Sequence, residues 1–173
     1  MDFIDSVIMT RSSVRSFTGE AIPRETLVRI AKAGVAAPSA MNVQPWAIVL
    51  VTDRQKLDKL CTGLPYAKML EKAAAAFVVC GEPGKDANAA PKNWSVDCAA
   101  VSENILLAAH SLGLGAVWTA VYSDEQRLEC VRSVLEIPAD IVPLNVIPVG
   151  VIAGKAPAPK DKWNPKVVHF DAW

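Results

Sequence analysis

Two stretches of the chain carry side chains suited to holding a charged, flat ligand. The first is Arg11-Ser12-Ser13-Val14-Arg15, in which two guanidinium groups bracket two hydroxyls. A phosphate dianion needs several short, charge-assisted donors. Forked Arg donors match its oxygens, and Ser hydroxyls rotate to add more. The same pattern also suits a solvated basic helix end followed by a serine turn, and the segment alone does not decide between the two. The second stretch is Pro38-Ser39-Ala40-Met41-Asn42-Val43-Gln44-Pro45-Trp46. Its residues are small or carry amides, and two prolines stiffen it. Such a loop can offer backbone N–H groups and an Asn amide to the edge of a heterocycle. As an ordinary helix-to-strand turn it would instead use Met41 as core filler.

Other chemistries find less support. Gly113-Leu114-Gly115 lacks a third glycine and precedes an apolar run where a dinucleotide fingerprint must follow a strand, so it reads as a helix stop. Gly81-Glu82-Pro83-Gly84-Lys85 is too short for a phosphate loop, and Asp86 stands where a magnesium-binding hydroxyl belongs. There is no GxSxG motif, and His110 and His169 are far apart in sequence. His110 reads as a packed helix residue. Cys61, Cys80, Cys98 and Cys130 have no metal-ligand spacing and read as free thiols in a reducing cytoplasm.

These residues must be positioned by an alternation of helices and strands. The pattern predicts a short helix over 3–10 with Phe3, Ile4, Val7 and Ile8 on one face. A second helix opens at Pro23, with Leu27, Ile30, Ala31, Gly34 and Val35 inward, and closes at Pro38. Continuous apolar runs at 46–51 and 75–80 predict strands buried on both faces. Asp53 caps a helix ending near Cys61, and 66–72 forms a further helical turn or two. A mobile loop is expected over 81–92, then the longest helix over 95–112, apolar on more than one face. Strands at 116–121 and 146–153 flank a helix that Ser123 and Gln126 open as a capping box. The sum is one sheet of about four strands with helices around it.

The 173 residues suffice for one domain with a real core, and 51% of them are hydrophobic. Lys+Arg and Asp+Glu balance at 18 each, so no global field attracts nucleic acid or an anionic membrane. The mean hydropathy of +0.24 points to apolar surface hidden between subunits. No apolar run approaches the roughly 20 residues of a membrane span. Residues 1–5 lack the basic start of a signal peptide, so a cytoplasmic location is expected.

In this order along the chain, the motifs resemble the nitroreductase family of flavin enzymes. The resemblance runs nearly end to end. It takes in residues 11–17, 38–46, 104–109, 112–118, Val149-Gly150, and Pro159-Lys160-Asp161-Lys162 with Val168-His169. It implies an α+β fold, with a mixed central sheet flanked by helices, in an intertwined homodimer that holds FMN at its interface. Residues 1–173 would form a single FMN-binding domain whose tail, 155–173, packs on the partner subunit. Arg11, Ser12, Ser13 and Arg15 match the positions holding the ribityl phosphate. Lys160 and Lys162 match the late basic pair, where the family often has arginine. Pro38, Ser39, Ala40, Met41, Asn42 and Gln44 match the loop that reaches the other subunit's flavin. Val117, Trp118 and Thr119 match the segment lining the isoalloxazine ring, and Lys68 aligns with a lysine near its pyrimidine edge.

The implied activity passes hydride from NADH or NADPH through FMN to a small-molecule acceptor such as a nitroaromatic or quinone. No side chain is assigned as a catalytic residue. An FMN-binding or storage protein with little turnover is the alternative. The chain is short for the family, so the cover over the substrate is expected from residues 81–94, or is absent.

Overall fold

Burial along one strand sets the architecture. In the computed structural model, which describes residues 2–173, Ala75–Gly81 is buried at every position. Its alternate side chains enter two cores. Ala75, Phe77 and Val79 pack with Leu27, Ile30, Val101 and Ile105, while Ala76, Val78 and Cys80 pack with Leu57, Leu60, Leu128 and Val131. A period of two with both faces apolar requires helices above and below the sheet.

The strands are β1 (Trp46–Val51), β2 (Ala75–Gly81), β3 (Gly115–Ala116), β4 (Thr119–Ala120) and β5 (Val142–Gly150). They form one sheet in the order β1-β2-β5-β3, with β4 also paired to β5. The α+β reading holds. The described strand pairs all run antiparallel, so the sheet is not mixed in direction as expected. Helices α1 (Arg24–Gly34) and α3 (Ala90–Ser111) cover one face, and α2 (Arg54–Gly63) and α4 (Glu125–Leu135) the other.

Several boundaries differ from the expected ones for local reasons. Helix α3 begins at Ala90, inside the expected loop, because the Asp86 carboxylate accepts from the Asn88 and Ala89 amides at 2.9 and 2.7 Å and orders its entrance. Helix α4 is capped by Asp124, whose side chain accepts from the Arg127 amide at 3.1 Å, and not by Ser123. Strand β5 starts earlier than expected despite Pro143. That proline sits opposite Cys80, where the register slips between Val79 and Cys80, and a bulge relaxes the demand for its missing N–H. The strand expected over 116–121 divides into β3 and β4, with Val117 and Trp118 between them. Val35 is exposed because α1 ends at Gly34. Of the predicted apolar face at 3–10, only Val7 is buried. Phe3, Ile4 and Ile8, in or beside the turn of wide helix Ile4–Ile8, are exposed.

Candidate functional site

The segment 11–18 is anchored by the residues between its polar ones. Val14 and Phe17 are buried, while Arg15 and Ser16 face outward. The Val14 amide donates to the Ala116 carbonyl, Thr18 N–H to Val151, and Ala153 N–H to Ser16, each at 3.0 Å. The segment thus lies along the end of β3 and β5 like an additional edge. Glycines in those strands make the approach feasible. A Cβ on Gly115 would lie 2.6 Å from Val14, and one on Gly150 would lie 2.7 Å from Phe17. With its apolar teeth seated, the strip presents Arg11, Ser12, Ser13 and Arg15 in fixed order.

Those four residues line an open groove of about 830 Å³ together with Lys160 and Lys162. The remainder of the lining includes Ile8, Met9 and Trp163, and one acid, Asp161. Six donor side chains from opposite ends of the sequence therefore converge. Arg11 is held from behind by Glu103 on α3, with its Nε 3.6 Å from Oε1. Among the described residues, Arg15 makes only a long contact, from Nη1 to the Ser13 carbonyl at 3.4 Å. This donor set is the kind a phosphate monoester requires, with charge from four cations and directional hydrogen bonds from two hydroxyls. The residues present fit a phosphate-bearing group such as FMN.

Arg15 also lines a smaller cleft of about 190 Å³, with Val117, Trp118, Thr119, Tyr66, Met69 and Arg127. The predicted ring-lining residues 117–119 are thus brought next to the basic strip. Lys68 is not among the lining residues, although its neighbour Met69 is. A second cation of the cleft is Arg127, which no sequence motif singled out. Its guanidinium stands 5.4 Å from the centre of the Tyr66 ring, and Nη1 donates to the Ala120 carbonyl at 3.3 Å. The only available signal was its place one turn after the capping Asp124.

The loop 38–44 lines neither the groove nor the cleft. Its backbone is unusual. Met41, Asn42 and Gln44 have φ of 51°, 54° and 54°, the left-handed region that costs a non-glycine residue about 1–2 kcal/mol. Hydrogen bonds hold it there. Gln44 N–H donates to Ser39 Oγ at 2.9 Å, Gln44 Nε2 to Asn42 Oδ1 at 3.0 Å, Ala40 N–H to Asp97 Oδ1 at 3.1 Å, and Lys85 Nζ to the Gln44 carbonyl at 2.9 Å. Met41 is 80% exposed, so it is not core filler.

Residues 81–94, the expected cover, line neither space. Trp94 packs on Gly81 and meets Tyr122 edge to face, with centroids 4.9 Å apart. Burial pushes the Cys80 and Cys98 thiols up to about 12, so both act as protonated hydrophobes rather than nucleophiles. Among the described residues no helix is long and apolar enough to cross a membrane.

The nitroreductase family model matches residues 8–63 and 61–151 of the chain. A protein of Methanothermobacter thermautotrophicus, named provisionally as an NADH dehydrogenase/NAD(P)H nitroreductase, is 39% identical over 100% of this chain and 88% of its own length. A crystal structure from Parabacteroides distasonis with the same provisional name is 45% identical, covers 99% of this chain and 98% of its own, and superposes with a TM-score of 0.91. The NADPH:FMN oxidoreductase of Vibrio harveyi, solved with NAD+, is 28% identical over 99% of this chain and 77% of its own, with a TM-score of 0.85.

Proposed function

The chain belongs to the nitroreductase family, and on that footing we propose that it is an FMN-dependent oxidoreductase. It takes hydride from NADH or NADPH and delivers electrons to a small-molecule acceptor such as a nitroaromatic or quinone. The observation that carries this reading is the groove in which Arg11, Ser12, Ser13, Arg15, Lys160 and Lys162 meet. The Vibrio harveyi relative, an NADPH:FMN oxidoreductase by name, supports FMN and a nicotinamide donor.

Bound FMN supplies the redox chemistry, accepting hydride and releasing electrons to the acceptor. The protein supplies binding and electrostatics. Arg11, Arg15, Lys160 and Lys162 neutralise the phosphate, and the Ser12 and Ser13 hydroxyls donate to it. Val117, Trp118 and Thr119 wall the ring. Arg15 brings positive charge to the small cleft, and Arg127 lines it while paired to Asp124 at 3.4 Å; the net charge favours an anion there, the role expected of Lys68. Protons come from solvent, and no side chain is assigned as general acid or base.

The exposed apolar residues of Ile4–Ile8, the outward Met41 and the tail 155–173 support a homodimer. In it the single domain lends its tail, and its loop with Pro38, Ser39, Ala40, Met41, Asn42 and Gln44, to the other subunit. Nucleic acid and membrane are not partners in this reading, and the protein works in the cytoplasm.

The test is spectroscopic. Purified protein should release FMN, not FAD, on denaturation. Under anaerobic conditions its visible flavin band should bleach on adding NADH or NADPH and return on adding a quinone. A band that neither nucleotide bleaches would make the protein an FMN carrier. FAD, or no flavin after reconstitution, would overturn the assignment.

A further inference from the structure

Helix α3 holds the start of the basic strip not only through the ion pair of Glu103 with Arg11 but also through His110. His110 lies two turns further along α3 on the same face, since seven residues separate the two and a helix turns every 3.6 residues. Its Nε2 is 2.8 Å from the hydroxyl of Thr10, the residue immediately before Arg11. That hydroxyl also donates to the Ser6 carbonyl at 2.6 Å. A hydroxyl has one proton, so Thr10 is the acceptor in its contact with the ring, and His110 must donate from Nε2. The arrangement is directional and runs from α3 to Thr10, then to the Ser6 carbonyl inside the N-terminal turn. The Arg11 amide closes the same turn by donating to the Val7 carbonyl at 3.0 Å. Among the described residues, the Arg11 side chain has no polar partner but Glu103. Its Nε edge is thereby occupied, while its two terminal nitrogens remain available.

We infer that His110 is a positioning residue for the anion clamp, fixing the backbone of Arg11 through Thr10 while Glu103 fixes the guanidinium from the same helix face. The inference rests on the proposed binding of FMN. His110 touches neither groove nor cleft, so it acts on the groove only through the turn that leads into Arg11. Burial, and then the Arg11 charge, lower the basicity of His110 and keep its ring neutral, which suits a fixed one-donor tautomer.

The test compares FMN with riboflavin, which has the same ring and lacks the phosphate. Dissociation constants of the apoprotein for each are measured by flavin fluorescence. Replacing His110 by Phe removes the donor and retains a planar ring. It should weaken FMN about threefold to tenfold and leave riboflavin within about twofold, the size of one net hydrogen bond. His110→Gln, whose amide can donate to Thr10, should restore most of the loss. Thr10→Val removes the links to both His110 and Ser6 and should weaken FMN at least as much as His110→Phe, and adding His110→Phe to it should cost nothing further, because the two cut one chain. The Thr10 variant also keeps the test intact if the Phe substitution impairs folding. An unchanged FMN-to-riboflavin ratio in both variants, equal losses for the two ligands, or full additivity would overturn the inference. A wild-type protein that binds both ligands equally would overturn it together with the FMN reading, whereas wild-type preference without a variant effect would overturn this inference alone.

Discussion

Strand β2 is buried at every residue, whereas the tail of the same chain leaves Trp163, Phe170 and Trp173 at 70%, 87% and 101% of full exposure. The difference separates a part whose apolar surface is covered within the chain from a part whose apolar surface is left open. The sheet needs only its own helices. The rim made by Ile4–Ile8, the strip 11–18 and the tail carries apolar groups and cations in quantity, with little of its own to set against them. Such a rim is costly in water unless a second copy and an anionic ligand complete it. Gly115 and Gly150 are the seam, where the covered part accepts the strip of the open part.

Breaking the core should cost the most. Phe77→Ala removes a ring buried between β5, α1 and α3 and should lower unfolding free energy by about 3–5 kcal/mol in urea titrations. Truncation after Gly154 attacks only the rim. It should leave the far-ultraviolet dichroism and cooperative unfolding of the sheet in place. Dimerisation should weaken, and FMN affinity should fall by about 3 kcal/mol or more as two lysine contacts are lost. A truncated chain that remains dimeric and yellow would end the crossing-tail account. Arg15→Ala and Arg11→Ala should each cost about 1.5–3 kcal/mol of FMN affinity with little change in the melt. Gly150→Ala tests the seam. Its new Cβ would crowd the Phe17 ring, costing about 1–3 kcal/mol of stability and loosening FMN as well, a combination that neither core nor rim variants should give.

The smallest effect is the pH dependence from His110. Burial first, then the Arg11 charge, hold its pKa below the ordinary 6.5. The unfolded chain therefore binds more protons than the folded one between the lowered value and 6.5. Stability contributed by the neutral ring is full above 6.5, falls as pH drops through that window and levels off below it. His110→Gln should flatten this shallow decline in a series of denaturant melts.

The same division governs what was legible in the sequence. The covered part was readable because its signals are local. The apolar runs of β1 and β2, the stop at Gly113, with φ of 75°, and the inward Leu27 and Ile30 all appear where the pattern puts them, although β1, at the sheet edge, is only half-buried along its middle rather than buried on both faces. Misplaced boundaries came from competing local chemistry, such as Asp124 outdoing Ser123 as a cap and Asp86 starting α3 early. The site was readable only in part. Residues 11–15 were conspicuous as a motif, and 160–162 acquired meaning through family resemblance. Their meeting in one groove is a property of the fold. Arg127 and Tyr66 were invisible because nothing in their own neighbourhood distinguishes them from a helix cap and a surface aromatic.

If the basic rim is a phosphate clamp, a ligand with the phosphate must outbind the same ligand without it. Apoprotein is titrated with FMN and, separately, with riboflavin, at low and high salt. FMN should bind at least about a hundredfold more tightly, as two or more charge-assisted phosphate contacts require, and salt should narrow the gap as it screens the clamp. Equal affinity for the two flavins at low salt would contradict it.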